Sequence, residues 1–171
     1  MESFFLLMRL LHVFLGVFWA GAVIFVAVYL SPSMREAGPG GLPILQGLQK
    51  RGYFTVMPIL ALVTVVSGFW LYWNMIATVG PVWAGSMSAR VYGVGAAAGL
   101  VALIFGVFWL RPASINMVRV AEQLAAAAPG AERDDLQAEL ARHRMRSGSA
   151  LRWVALLLAI ATVCMALARY L

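Results

Sequence analysis

The sequence predicts an all-helical integral membrane protein, a bundle of four transmembrane helices, and two observations carry this prediction. Hydrophobic residues make up 63% of the 171 positions and the mean hydropathy is +0.86, whereas soluble domains are typically about 45–50% apolar. The charged residues, 12% of the chain, cluster between long uncharged runs and are not dispersed. At this length we expect a single domain covering residues 1–171.

The uncharged runs define the four helices. A spanning helix needs roughly 20 apolar residues, and the runs 10–34 and 91–110 each hold one. The run 52–89 holds one helix followed by an apolar loop. The last run, 153–168, is short, but the arginines on both sides extend it because their side chains snorkel to the headgroups. The predicted helices cover about residues 3–30, 52–75, 89–110 and 149–170.

Proline and glycine mark the predicted helix ends. Ser31-Pro32 and Arg111-Pro112 are expected to end the first and third helices, since the residue before a proline disfavours helix. In the connection after the first helix, residues 44–51 are expected to form a short interfacial helix. The sequence of residues 112–147 predicts a basic helical loop with a break at Pro129-Gly130. This loop is either a hairpin or a pair of helices extended over the membrane surface.

The second connection, residues 77–88, is predicted to be a loop lying on the membrane interface. Aromatic residues precede and occupy it, which is typical of the belt at a membrane–water boundary. A hydrophobic pocket for a quinone, porphyrin or pigment is the alternative role for these side chains. They are Trp70, Tyr72, Trp73 and Trp83.

The distribution of lysine and arginine predicts the orientation. Ten of the 13 basic residues lie in or beside the connections 31–51 and 111–152. By the positive-inside rule these connections face the cytoplasm and both termini face outward. The richness in glycine, alanine and arginine suggests a bacterial protein, so we expect a multi-pass protein of the bacterial inner membrane. The net charge of +6 is then explained by anionic lipid, and no nucleic-acid partner is expected.

The third helix is rich in small residues that let helix backbones approach closely in lipid. Gly95 and Gly99 have the G-x-x-x-G spacing, and Gly93 and Gly106 extend the set. The spacing predicts a packing face, and it leaves open whether the helix packed there belongs to the same chain or to another. This face is the basis for expecting other membrane proteins, or further copies of this chain, as partners beside the bilayer.

A further pattern lies in the first helix and the ends of the next two. It consists of Leu11-His12, Trp19-Ala20-Gly21, Pro32, Ser67-Gly68-Phe69-Trp70-Leu71 and Leu110-Arg111-Pro112, with a basic segment before the last helix. In these residues and in layout the chain resembles the copper-resistance protein D (CopD)-like superfamily. That group includes small four-helix membrane proteins of unknown function and the HemJ-type protoporphyrinogen oxidases.

The resemblance implies a role for His12, because HemJ-type enzymes use a first-helix histidine with haem. A b-type haem is then the implied cofactor, with His12 as its iron ligand. Arg9, one turn earlier, would pair with a propionate or a quinone oxygen, and Trp19 would lie beside the ring. HemJ-type enzymes also need a lysine in a later membrane helix, whereas the only lysine here, Lys50, falls in a predicted loop and Arg90 is the nearest basic residue.

Two functions remain open at this stage. The sequence has no Walker loop, nucleophile motif or CxxC. This favours an accessory or scaffold subunit without catalysis of its own. Such a subunit would pack against other membrane proteins or pigments, as in an electron-transport complex. The alternative is a CopD/HemJ-like haem- or porphyrin-binding redox protein using His12. Without a cofactor, His12 would bond to a neighbouring helix or a lipid headgroup.

The second histidine, His143, lies among arginines and is expected to be solvated. Copper uptake is a distant third, because the nine methionines show no paired spacing.

Overall fold

Four long helical segments and the shorter helices between them make up the computed structural model, which describes residues 2–171 apart from the side chain of Pro39. Each segment is long and apolar enough to cross a membrane. The segments are Glu2–Glu36, Tyr53–Val79, Met87–Ala126 and Ala131–Tyr170. The predicted all-helical class and the four candidate spans are therefore confirmed.

Eight α-helices lie within and between these segments. In chain order they are α1 (Glu2–Phe25), α2 (Ser31–Glu36), α3 (Gly41–Lys50), α4 (Tyr53–Val79), α5 (Pro81–Ala84), α6 (Met87–Phe105), α7 (Arg111–Ala126) and α8 (Ala131–Leu167). Helix α1 packs mainly on α4 and α6 mainly on α8, while α1–α8 and α4–α6 contacts close the ring. We call the end that carries α2, α3 and α7 the basic end, and the end that carries the chain termini and α5 the terminal end.

Large apolar side chains are exposed on the outer surface of the bundle. Leu10, Phe14 and Val17 of α1 are each more than 60% exposed, and every other long helix shows comparable residues. In water such a surface costs about 25 cal/mol for each Å² left uncovered, whereas lipid covers it without that cost. The exterior therefore suits contact with acyl chains.

The core between the four helices is narrow because small residues line it. Ala61 of α4 and Ala102 of α6 are almost fully buried and let the backbones approach. The larger members of this core come from α1 and α8: Trp19, Val23, Leu151, Val154 and Leu158. Packing of this kind supplies the van der Waals contacts that hold helices together where lipid removes the hydrophobic driving force.

The first and third helices do not end at their prolines, so that prediction is wrong. At both sites a single π-helical turn, Val26–Leu30 or Gly106–Leu110, leads directly into α2 or α7. The backbone N–H groups of Ser31 and Arg111 donate to the carbonyls five residues earlier, not four. The wider turn gives the following proline ring room against the preceding carbonyls, and this keeps the helix continuous.

The two π turns belong to an internal repeat with a spacing of 80 residues. Positions 22–33 and 102–113 align without a gap, and both π turns fall at the same place in the alignment. The identical pairs are Ala22/Ala102, Ile24/Ile104, Phe25/Phe105, Leu30/Leu110 and Pro32/Pro112. The same residues therefore produce the same wide turn and proline exit twice, once in each half of the chain.

The basic loop between the third and fourth spans is a helical hairpin. Helix α7 ends at Ala126, and α8 begins at Ala131 and runs without a break into the fourth span. The expectation of a separate helix starting near residue 149 is wrong, because nothing in this stretch interrupts the helical hydrogen bonds. Val120, Ala121 and Leu140 form a small core between the two arms, which α3 covers with Leu42.

Two further boundaries differ from the prediction. Helix α4 continues to Val79, and the short helix α5 follows, so most of the expected loop 77–88 is helical. The interfacial helix expected at 44–51 is present as α3, and it begins earlier, at Gly41. A Cβ atom at Gly41 would overlap the backbone oxygen of Met34, so the turn from α2 to α3 requires glycine.

Pro58 creates a gap in α4 that another helix fills. An α-helical N–H at position 58 would donate to the carbonyl of Phe54, but proline has none. In its place, Nε of Arg111 donates to the Phe54 oxygen at 2.9 Å. This bond also ties the start of α7 to the start of α4, next to the second π turn.

The pairing of Pro58 with Arg111 predicts a specific coupling. We expect Arg111→Leu to lower the free energy of unfolding by about 1–2 kcal/mol, because the Phe54 carbonyl loses its donor. In a Pro58→Ala background the same substitution should cost much less, since an alanine at this position restores the helical N–H. Unfolding in detergent micelles, followed by circular dichroism, measures this double-mutant cycle. The exposed Arg119→Leu on the same helix is the control, and equal costs in both backgrounds would contradict the assignment.

Candidate functional site

His12 lies in the contact between α1 and α4, toward the terminal end. Its Nδ1 is 2.8 Å from the carbonyl oxygen of Thr64. A carbonyl has no hydrogen to give, so Nδ1 must be the donor and carries a proton. In the neutral ring this leaves the lone pair on Nε2, which is the nitrogen that remains available for a ligand or metal.

The imidazole of His12 fits against α4 because that helix has no side chain at position 68. A Cβ atom at Gly68 would lie 2.6 Å from Cε1 and 2.8 Å from Nδ1 of the ring. One turn further along α1, a Cβ at Gly16 would meet the Thr64 side chain at 3.2 Å. The His12–Gly68 and Gly16–Thr64 pairs therefore set how closely α1 and α4 approach.

The other two residues assigned to a cofactor with His12 differ from it in their surroundings. Arg9 is exposed on the outside of α1. Trp19 is only 5% exposed and belongs to the core at the level of Ala61 and Ala102. The expected set thus consists of an interhelical histidine, an exposed arginine one turn before it and a tryptophan in the core seven residues after it.

Trp19 instead marks the inner end of a cavity that opens toward the basic end. We call this cavity the basic-end cleft. It extends from Trp19 to the level of the two π turns, and residues from α1, α2, α3, α4, α6, α7 and α8 line it. Its walls are mainly apolar, and three methionines, Met34, Met57 and Met117, contribute flexible thioethers that adapt to an irregular occupant.

The dimensions of the basic-end cleft decide what it can hold. Its volume is about 100 Å³, whereas pockets for drug-sized ligands hold roughly 300–1,000 Å³. Trp19 and Ser31 line its two ends, and 12 helical positions span roughly 18 Å at about 1.5 Å per residue. The lining residues thus extend along the helices while the volume stays well below that range, a combination that favours part of an alkyl or isoprenoid chain over a porphyrin ring.

Polar groups are confined to the mouth of the cleft. Ser31, Tyr53 and Arg111 line it at the level of the basic end. Ser114 and Ser147 also line it, and their hydroxyl oxygens lie 3.0 Å apart in a buried hydrogen bond between α7 and α8. An apolar interior with hydroxyl groups and a guanidinium at its mouth suits an amphipathic molecule.

The four glycines of the third span have different surroundings. A Cβ at Gly95 would lie 2.9 Å from Cβ of Cys164, so this glycine packs on α8 of the same chain. At Gly93 the nearest atom would be the hydroxyl of Tyr72, at 3.7 Å. Gly99 and Gly106 have nothing within 4 Å, and Gly106 lines the cleft.

Several aromatic residues near the terminal end pack against other helices, whereas residues of an aromatic belt would be exposed at the membrane–water boundary. Trp83 packs on Tyr72 and Tyr92 with ring centroids 5.3 and 6.5 Å apart. Trp70 meets Phe4 edge to face at 5.0 Å, while Trp73 is exposed as a belt residue would be. These contacts join α4 to α5, α6 and the start of α1.

His143 is not solvated, contrary to expectation. Only 15% of its side chain is exposed, because the ring turns toward α7 beside Pro112 and Ala113. Nε2 lies 3.5 Å from Oε1 of Glu139. Nδ1 is buried without a hydrogen-bond partner among the residues the structure describes. The arginines next to His143 in the sequence do not indicate that its imidazole is solvated, because only one side of the helix faces solvent.

Comparisons with protein-family models, with curated proteins and with solved structures find no match to this chain.

The fit of His12 against Gly68 predicts a second coupling. We expect Gly68→Ala to destabilise the protein by about 1–3 kcal/mol, because the new methyl group overlaps the imidazole. With His12→Ala already present, the same change should be neutral or slightly stabilising, as alanine favours helix over glycine. Gly99→Ala, which has open space, is the matched control. Unfolding measurements on the four variants test this, and an unchanged cost without the imidazole would show that His12 does not set the spacing.

Proposed function

We propose that this chain is an integral membrane accessory protein, without catalytic activity of its own, that holds a chain-shaped amphipathic molecule in the basic-end cleft. The observation that carries the proposal is the lining of that cleft, which is mainly apolar from Trp19 onward and has its polar side chains at the basic end. In the orientation that the basic residues favour, the mouth opens toward the cytoplasmic leaflet of a bacterial inner membrane.

The chain of the bound molecule would lie between the two halves of the protein. Val23 and Val26 of the first repeat face the cleft, and so do their counterparts Leu103 and Gly106 of the second. The glycine at 106, where the first repeat has valine, makes the space on this side. A chain that enters from lipid exchanges its contacts with neighbouring acyl chains for van der Waals contacts with the cleft wall, each worth about 0.1–0.2 kcal/mol per pair of heavy atoms.

The head of the bound molecule would lie at Arg111 and Tyr53. Nε of Arg111 is already used by the Phe54 carbonyl, and the remaining guanidinium N–H groups and the phenol are donors of the kind that a carboxylate, phosphate or quinone oxygen accepts. This arrangement supports an occupant with one oxygen-bearing end, such as a fatty acid, a lysolipid or a quinone.

The accessory part of the proposal draws on Gly99 of α6. Gly95 is used inside the chain, so it is not available to a partner. Gly99 has open space around it, whereas the exposed Val94 and Val101 lie on the opposite side of α6. Of the two glycines in the G-x-x-x-G spacing, Gly99 is therefore the position where another membrane helix can approach closely.

Filling the cleft should abolish binding of a chain-shaped probe. We expect a fatty acid brominated near the middle of its chain to quench the fluorescence of Trp19 at the inner end of the cleft. Gly106→Leu places a side chain in the cleft without a clash and should weaken this binding roughly tenfold, the equivalent of about two methylene contacts. The measurement is a quenching titration in detergent micelles.

Two controls make this titration decisive. Trp19→Phe identifies the component of the emission that reports on the cleft. Gly99→Leu adds the same side chain on the same helix, outside the cleft, and should leave the titration unchanged. Equal quenching curves for Gly106→Leu and the unsubstituted protein would overturn the proposal.

A second candidate function is haem binding through His12, and the hydrogen bond to Thr64 favours it. Haem-ligating histidines keep their ligating nitrogen basic and oriented by donating the other N–H to a carbonyl or carboxylate, as Nδ1 of His12 does. The resemblance to HemJ-type proteins implies the same residue. A haem would lie outside the basic-end cleft, and a second axial ligand would come from elsewhere, because His143 lies at the opposite end of the bundle.

This candidate has a direct spectroscopic test. If His12 ligates haem, the protein purified in mild detergent should show a Soret band and, after reduction with dithionite, α and β bands. All of them should disappear in His12→Ala. His12→Ala protein that keeps its helical circular dichroism provides the control for folding. A spectrum without these bands, after expression with haem supplied, would contradict haem binding and leave His12 as the spacer between α1 and α4.

A further inference from the structure

A second pocket lies at the basic end on the outer side of the contact between α7 and α8. Its walls come from the second π turn, from α7 and from α8, and its volume is about 70 Å³. One water molecule needs only about 10–15 Å³ of such space. The pocket is separate from the basic-end cleft, because Ala113 and Asn116 of α7 line the pocket whereas Ser114 and Met117 line the cleft.

The polar side of this pocket is built for an anion. Arg146 and His143 of α8 and Asn116 of α7 supply a guanidinium, an imidazole and an amide. The buried Nδ1 of His143 has no partner among the described residues, and a buried polar atom left unsatisfied costs about 1–3 kcal/mol. With Nε2 directed to Glu139 at 3.5 Å, an imidazolium would have one N–H left over, and an anionic oxygen in the pocket would accept it.

The other side of the pocket faces lipid. Phe108 and Trp109 of the π turn line it and are 67% and 49% exposed. They lie in the four residues before Arg111-Pro112, where the apolar part of the third span ends. An indole and a phenyl ring at this level are typical of the membrane interface. The pocket therefore has a guanidinium, an imidazole and an amide on the headgroup side and an apolar surface on the acyl-chain side.

We propose that this pocket binds the phosphate of an anionic glycerophospholipid of the surrounding bilayer, with Arg146, His143 and Asn116 as its donors and an acyl chain lying along Phe108 and Trp109. Arginine suits this role because its planar N–H groups match phosphate oxygens. Glu139 lies 3.5 Å from Nε2 of His143, so Nδ1 is the ring nitrogen left for the phosphate. The site does not depend on an occupant of the basic-end cleft.

The test measures how tightly single lipids remain bound to the full chain. The protein in detergent micelles is titrated with phosphatidylglycerol, with phosphatidylcholine of the same acyl chains, and with inorganic phosphate, and bound lipid is counted by native mass spectrometry. We expect phosphatidylglycerol to bind about tenfold more tightly than phosphatidylcholine, and Arg146→Gln to remove about that factor. Arg142→Gln is the matched control, because it removes the same charge from an exposed position on the same helix that does not line the pocket.

Each result decides the proposal. Loss of the preference with Arg146→Gln and Asn116→Ala, and its retention with Arg142→Gln, supports it. Equal effects of the two arginine substitutions would show a diffuse attraction to the basic end and overturn it. Displacement of phosphatidylglycerol by inorganic phosphate at similar concentration would assign the pocket to the free ion instead. Circular dichroism of every variant separates loss of the lipid from loss of the fold.

Discussion

The structure depends on one constraint: in an apolar surrounding, each backbone N–H and C=O group must find its partner within the protein. Three prolines break the helical pattern in or beside the spans, and each is compensated. The wide turns before Pro32 and Pro112 shift the hydrogen bonds by one residue, and Arg111 supplies the donor that Pro58 lacks. These adjustments all lie near the basic end, where they widen the bundle, and the cleft opens between them.

The helical class and the four spans were predictable because a bilayer demands long apolar runs, and this signal does not depend on tertiary structure. The helix ends at Ser31 and Arg111 were mispredicted, since the rule that proline ends a helix assumes α-helical hydrogen bonds on both sides. A π turn removes that assumption. A signal for it lies in the sequence itself, in the repeat of Ala-x-Ile-Phe followed by Leu-x-Pro at a spacing of 80.

The candidate sites were less predictable because they are made by side chains from several elements. His12 was singled out from its position in an apolar run, but its partner is the backbone oxygen of Thr64 and its neighbour is the empty position at Gly68. No local pattern gives such a pairing. The cleft draws on seven helices, and the pocket beside His143 forms only where α7 and α8 pack together.

Helix α8 also has a mechanical consequence. It runs for 37 residues without interruption, or roughly 55 Å at about 1.5 Å per residue. Leu140 lies in the hairpin outside the core of the bundle, whereas Leu151 and Val154 form one wall of the cleft. One continuous helix thus joins the hairpin to the wall of the cleft. Because no break in its hydrogen bonds separates the two, we expect a displacement of the hairpin to be transmitted to that wall.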